Sequence, residues 1–249
     1  MHPNDETSRQ QTPPAASPSY LIRLFHALRA SWRIWLIGLI VVGGATTLFL
    51  SLADEVLERD SFRWDAPLML AVHRLSTPWL DQLLIAITWI GHPGEYLITA
   101  ICVIWLWRQR LPAASVALVV CMVGAGLLNI WLKLLFARPR PSIFPPVIID
   151  TSYSFPSGHT MGAVALYGFL AYLLWQHKRR VWAVVALLFA LLIAFSRIYL
   201  GVHYPSDILG ALAISVLWLA MVIAGYSYYQ RRYGRNAETA LPSSPIQGS

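Results

Sequence analysis

From Trp35 to Tyr228 the sequence is a succession of apolar stretches, each close to the length of helix that crosses a bilayer, and few folds can accommodate them. A hydrocarbon core of ~30 Å takes ~20 residues of α-helix. Stretches of about that length run from about Trp35 to Leu52, Trp79 to Trp107, Ala113 to Phe136, His159 to Leu174, Val181 to Leu200 and Pro205 to Tyr228. The chain is 57% hydrophobic and 12% charged, whereas an ordinary soluble domain carries ~25% charged residues. The expected class is therefore all-α: an integral-membrane bundle of six transmembrane helices with a short extracytoplasmic amphipathic segment.

The connections give the direction. Residues 1–32 read as a polar cytoplasmic tail to about Ser19, followed by an interfacial helix over Tyr20–Trp32, where Arg23, His26 and Arg29 stand at helical spacing. Residues 33–229 form the membrane domain and residues 230–249 a second cytoplasmic tail. The polar start does not resemble a secretory leader, so the first stretch reads as a retained anchor. Basic blocks at Arg23–Arg33, Arg108–Arg110, Lys178–Arg180 and Arg231–Arg235 fall on one side of a six-span path. The positive-inside rule makes that side the cytoplasm of a plasma (inner) membrane, with both termini there. The net charge of +7 is thus a topology signal, and no nucleic-acid partner is expected.

The acidic Asp54–Asp81 segment falls outside, and its Trp64, Leu68, Leu70, Val72 and Leu75 predict a partly buried amphipathic helix. It is expected to cover the entrance, on that outer side, to the polar clusters described next. Pro93 predicts a bend near Gly91–Gly94 in the second span. Cys102 and Cys121 lie in apolar runs and support neither a disulfide nor a cysteine metal site.

Three polar clusters stand at span ends on the predicted outer side: Lys133 through Arg140-Pro141, Pro156-Ser157-Gly158-His159, and Ser196-Arg197 followed by His203 and Asp207. Singly, each has a plain structural explanation. Lys133 or Arg197 can snorkel to the interface, Ser157 can cap a helix, and a lone histidine can be a polar anchor. Together they describe an anion site. Lys133, about two helical turns before Arg140, and Arg197 supply three cations, of which the guanidinium groups match phosphate oxygens bidentately. Ser157 and Gly158 open a span, where free N–H groups and the helix dipole favour an anion and glycine permits close backbone approach. His203 and Asp207, spaced i to i+4, predict an imidazole held by a carboxylate on the first turn of the sixth helix, its other nitrogen left to attack. Two histidines and Asp207 could also suit zinc. A divalent ion beside three cations would be repelled where an anion is attracted, so no metal is expected.

Lys133–Pro141 fits K-x6-R-P, Pro156–His159 fits P-S-G-H, and Ser196–Asp207 fits S-R-x5-H-x3-D. These resemble the three signatures of the type-2 phosphatidic acid phosphatase superfamily, with every motif position filled and the flanking spans included. The resemblance implies a metal-independent lipid phosphatase without a cofactor, similar to bacterial undecaprenyl-diphosphate and phosphatidylglycerophosphate phosphatases. It implies His203 as the nucleophile that becomes a phosphohistidine, Asp207 as its orienting carboxylate and His159 as the general acid that then helps activate water. Lys133, Arg140, Ser157, Gly158 and Arg197 are implied to bind the phosphate. The expected partners are the bilayer and a lipid phosphate: undecaprenyl diphosphate, favoured by an outward-facing site, or phosphatidylglycerophosphate, phosphatidic acid or a lipid A phosphate. Two other classes could use such residues. A lipid phosphotransferase would pass the phosphate to a lipid acceptor, and a lipid transporter would place its charges near the midplane of repeated halves, not at helix ends on one side.

Overall fold

The computed structural model describes residues 20–58 and 62–234, whose regular structure is entirely helical. The expected tails over residues 1–19 and 235–249 lie outside the described residues. Helix α1 spans Tyr20–Leu57, α2 Asp65–His73, α3 Pro78–Gly91, α4 Gly94–Arg108, α5 Pro112–Phe136, α6 Gly158–Gln176, α7 Arg180–Tyr199 and α8 Pro205–Tyr229, which a π-helical turn extends over Gln230–Gly234. The chain divides between Val41 and Val42 into two units, and the packed core and the site described below belong to the second. The separate interfacial helix expected over Tyr20–Trp32 is instead continuous with the first span, because no Gly or Pro interrupts the sequence between them.

Proline opens α3, α5 and α8, where its missing N–H costs nothing. Between α3 and α4, Pro93 breaks the hydrogen-bond ladder and the axis turns by 46°, the bend expected near Gly91–Gly94. Among the described residues four helices are long and apolar enough to cross a membrane: Leu36–Leu57, Pro112–Phe136, Arg180–Tyr199 and Pro205–Tyr233. The bent α3–α4 pair makes a fifth. Helix α6, counted from the sequence as a span, is not among them. Twelve of its nineteen residues are buried, and it packs against α3, α4, α5, α7 and α8. A helix surrounded by protein needs small side chains for close approach more than it needs hydropathy. Gly168 lies under Leu219, in space a methyl group would fill.

The core is built around α6, with Leu166 and Phe169 against Leu118, Cys121 and Ile193. Outside it, Ile104, Leu127 and Leu188 are exposed, as in a bundle whose exterior solvent is hydrocarbon. The acidic segment departs from expectation. Trp64, Leu68, Leu70 and Leu75 point outward, and the residues α2 buries are Asp65 and Met69. It packs on α7 and α8, and Asp65 accepts from the Ser206 N–H of α8.

Candidate active site

The C-terminal ends of α5 and α7 and the N-terminal ends of α6 and α8 bring the three clusters together. Helix α5 ends at Ala137, whose φ of 42° is left-handed, so Arg140 returns from a loop and does not share a helix face with Lys133. The two cations meet on the following loop. The Lys133 ammonium donates to Ser152 Oγ at 2.7 Å and to the Tyr153 carbonyl at 2.6 Å. Arg140 Nε donates to the Ser152 carbonyl at 2.7 Å. Arg197 is not a snorkelling side chain: it is 1% exposed and donates to Thr88 Oγ1 at 2.8 Å.

Asp150, which no motif marks, joins the two arginines. Its Oδ1 lies 2.8 Å from Arg140 Nη2 and its Oδ2 3.2 Å from Arg197 Nη2. Burial opposes the charged form, but Arg140 and the two Ser152 donors outweigh it and hold the carboxyl below its ordinary range.

His203 lies in the turn before α8, not on its first turn as expected, since Pro205 begins the helix. Its Nδ1 is 3.3 Å from Asp207 Oδ2 and its Nε2 is 3.2 Å from Arg140 Nη1. A guanidinium only donates, so Nε2 must accept and the ring proton sits on Nδ1, toward the carboxylate. The i to i+4 pair works through the helix cap: Asp207 also accepts from the Tyr204 N–H at 2.9 Å, which fixes the carboxylate over the turn. Gly201 makes the preceding turn with a φ of 77°, and its missing side chain leaves room for the Phe144 ring.

Burial, and then the charges of Arg140, Arg197 and Lys133, push the His203 pKa well below the ordinary 6.5. The ring is therefore neutral through neutral pH. In an NMR titration its Cε1 proton signal, assigned by its loss in His203→Gln, is expected not to shift as pH falls through 6.5; a midpoint at or above that value would contradict the geometry.

Arg138 was not a sequence candidate, although it stands inside the first motif. Its Nη1 donates to Asp207 Oδ1 at 2.5 Å and to Ser206 Oγ at 2.8 Å, while its Nη2 lies 3.1 Å from Asp65 Oδ2. The guanidinium lies over the Tyr204 ring, 4.2 Å from its centroid. Asp65 accepts in turn from the Ser206 N–H at 2.9 Å, and Ser154 Oγ donates to Asp207. The Asp207 carboxylate thus sits in a buried network that reaches back to α2.

At α6, Ser157 makes no side-chain cap and instead accepts from Thr160 Oγ1 at 3.1 Å, leaving its own O–H to donate elsewhere. The space beside Gly158 is occupied by Asn129, whose Oδ1 a methyl group would meet at 2.9 Å. The His159 ring is 5.1 Å from that of His92, which the α3–α4 bend presents and which bonds Glu95 at 3.1 Å. Gly162 gives that carboxylate its room.

His203, His159, Arg197 and Lys133 line one cavity of about 590 Å³, together with Trp89, Tyr96, Met122, Gly126 and Ile130. Met122, Gly126, Asn129, Ile130 and Lys133 follow helical spacing, so the cavity runs roughly 16 Å along one face of α5. No described residue of the 54–81 segment lines it. That segment borders a different cavity, of about 620 Å³, beside Arg138 and Tyr204, and its described residues do not form the expected cover over the first.

A model of the PAP2 superfamily matches residues 114–231. Undecaprenyl-diphosphatase BcrC of Bacillus subtilis (strain 168) is 33% identical over 158 residues, which cover 59% of this chain and 76% of that one. The chain belongs to the PAP2 superfamily. Phosphatidylglycerophosphatase B of the same organism is similar to this PAP2 protein over 209 residues at 29% identity, covering 80% of this chain and 96% of the relative. The crystal structure of a transmembrane PAP2 type phosphatidylglycerolphosphate phosphatase from Bacillus subtilis superposes with a TM-score of 0.70 at 28% identity, over 78% of this chain and 99% of that one. The PAP2 protein described here is accordingly a phosphatase, a hydrolase held in a membrane by its apolar helices.

Proposed function

We propose that this protein removes the terminal phosphate of a membrane lipid phosphate or diphosphate through a phosphohistidine on His203. The observation that carries this reading is the unprotonated His203 Nε2, 3.2 Å from the Arg140 guanidinium, in a cavity that continues along the apolar face of α5. A phosphate held by Lys133, Arg140, Arg197, the Ser157 hydroxyl and the first N–H groups of α6 would present phosphorus to that lone pair. As the Nε2–P bond forms, the bond to the leaving oxygen breaks and His159, protonated once the bound phosphate offsets Lys133 and Arg197, gives that oxygen its proton. His159 then takes a proton from water, whose oxygen displaces Nε2 from phosphorus and releases inorganic phosphate. Asp207 accepts the Nδ1 proton throughout and stabilises the imidazolium that attack creates. None of these steps requires a metal.

Lipid chains would lie along α5, between the exposed Trp89, Tyr96 and Ile130, with the head group at the helix ends. The domain is the segment 33–229, with α6 as a sixth, protein-lined crossing and 1–32 and 230–249 on the cytoplasmic side. The basic blocks after α4, α6 and α8 support an extracytoplasmic site in the plasma (inner) membrane. Undecaprenyl diphosphate and phosphatidylglycerophosphate are the leading substrates, after the relatives above, and phosphatidic acid offers the same terminal dianion.

Phosphate release by detergent-purified protein from these three lipids, with EDTA present, tests the reading. Release from at least one is expected. Release that vanishes with EDTA would remove the metal-independent mechanism, and label recovered on an added lipid alcohol instead of in inorganic phosphate would identify a phosphotransferase.

A further inference from the structure

We infer that Asp150 is a specificity-determining counter-ion: its carboxylate holds the phosphate-binding arginines until a terminal phosphate dianion displaces it, and a singly charged phosphodiester cannot. This rests on the phosphatase reading of the same site.

In this structure the anion that joins Arg140 and Arg197 is the chain's own. The contact is built, not incidental. Ser152 donates to Asp150 Oδ1 through its N–H at 3.2 Å and its hydroxyl at 3.0 Å. Upstream, the loop is pinned by the Val147 N–H on the Leu200 carbonyl at 3.0 Å and by the Phe144 ring, stacked 3.9 Å from that of His73. Beside it nothing covers the chain: Ile149 is 89% exposed and the Asp150 side chain 23%, so the carboxylate can swing out without opening the core.

The charges explain what such a device selects. Lys133, Arg140 and Arg197 carry three positive charges and Asp150 offsets one, so an incoming anion must outcompete that carboxylate to reach both arginines. The cavity is lined by the exposed Trp89 and Ile130 and so meets lipid. Most lipid head groups are phosphodiesters, singly charged and present at far higher local concentration than any lipid with a terminal phosphate. Three uncompensated cations would bind them and block the site. A terminal phosphate offers two charges and three oxygens, enough to replace the carboxylate on both arginines and engage Lys133 as well. A diester offers one charge and two non-bridging oxygens, no better than the carboxylate already there.

The test uses the full-length protein with inorganic phosphate and dihexanoyl phosphatidylglycerol as probes. Each is measured as an inhibitor of p-nitrophenyl phosphate hydrolysis and, independently of turnover, by the thermal stabilisation it confers. In wild type, phosphate is expected to bind and the diester to bind poorly. In Asp150→Asn and Asp150→Ala both should bind more tightly, the diester more so, narrowing the preference for phosphate by about tenfold; Asp150→Glu should restore it. An unchanged preference in both uncharged variants, or weaker phosphate binding in them, would overturn the inference and leave Asp150 as a structural strut for the arginines. A wild type that neither hydrolyses lipid phosphates nor binds phosphate would instead remove the phosphatase reading itself.

Discussion

His203→Ala is expected to lower phosphate release on the order of 10⁴-fold, the scale of losing a nucleophile that forms a covalent intermediate. The structure offers no substitute. Asp207 lies on the Nδ1 side of the ring, engaged with Arg138, Ser154 and the Tyr204 N–H, and cannot reach a phosphorus placed at Nε2. Acid-free quenching of wild type with ³²P-labelled lipid phosphate should trap label that is acid-labile and base-stable, as a phosphoramidate is, and His203→Ala should trap none. His159→Ala supplies the complementary result. With a lipid substrate it should be slow, because the alkoxide leaves without a proton. With p-nitrophenyl phosphate, whose leaving group needs none, the phosphoenzyme should accumulate because water still lacks its base. A His203→Ala variant within tenfold of wild type would eliminate the phosphohistidine.

The second large effect is expected at Arg138, through stability as well as rate. Its guanidinium lies between Asp65 and Asp207, 10% exposed at the side chain against 4% and 0% for the two carboxylates. Removing one partner of a buried ion pair strands the other, at a cost of about 3–5 kcal/mol. Arg138→Ala should therefore lower Tm by on the order of 10 °C. Activity should fall by about 10²-fold or more, because Asp207 no longer holds the Nδ1 proton in one direction. The two effects separate. Adding Asp65→Asn neutralises one stranded carboxylate and should recover part of the stability while leaving the rate low, since Asp207 still lacks its cation.

The pH dependence of Arg138→Ala carries the same physics. Burial already raises the Asp65 pKa against the opposing donors Ser206 and Arg138. With Arg138 gone the rise is larger, so the folded state binds more protons than the unfolded one. The variant's deficit should shrink as pH falls toward the carboxylate range and widen as pH rises through the folded pKa. A Tm deficit that does not change with pH, or a loss of under 1 kcal/mol, would show that the network is better solvated than its geometry indicates.

Hydropathy is local, summed over about twenty consecutive residues, and this is why α1, α5, α7, α8 and the broken α3–α4 pair could be read from the chain alone. The motif residues were legible for a related reason. Lys133, Arg140, Arg197, His159, His203 and Asp207 are chemically out of place at the ends of apolar helices, and a charge that costs so much to hold near lipid marks itself.

What a polar group is paired with is a long-range fact. Asp65 lies 73 residues from Arg138 and 141 from Ser206, and no local period distinguishes it from the other acids of its segment. The same holds for Asp150 on Arg197 and for Glu95 beneath Gly162. Helix α6 shows a further limit: hydropathy cannot say whether a helix faces lipid or protein, and twelve of its nineteen residues are buried. From the sequence alone the chain can be read as a membrane bundle that carries basic residues, two histidines and a carboxylate at its helix ends. Which carboxylates those groups pair with is visible only in the folded chain, because burial turns pairings worth little in water into ones that fix a side chain in place.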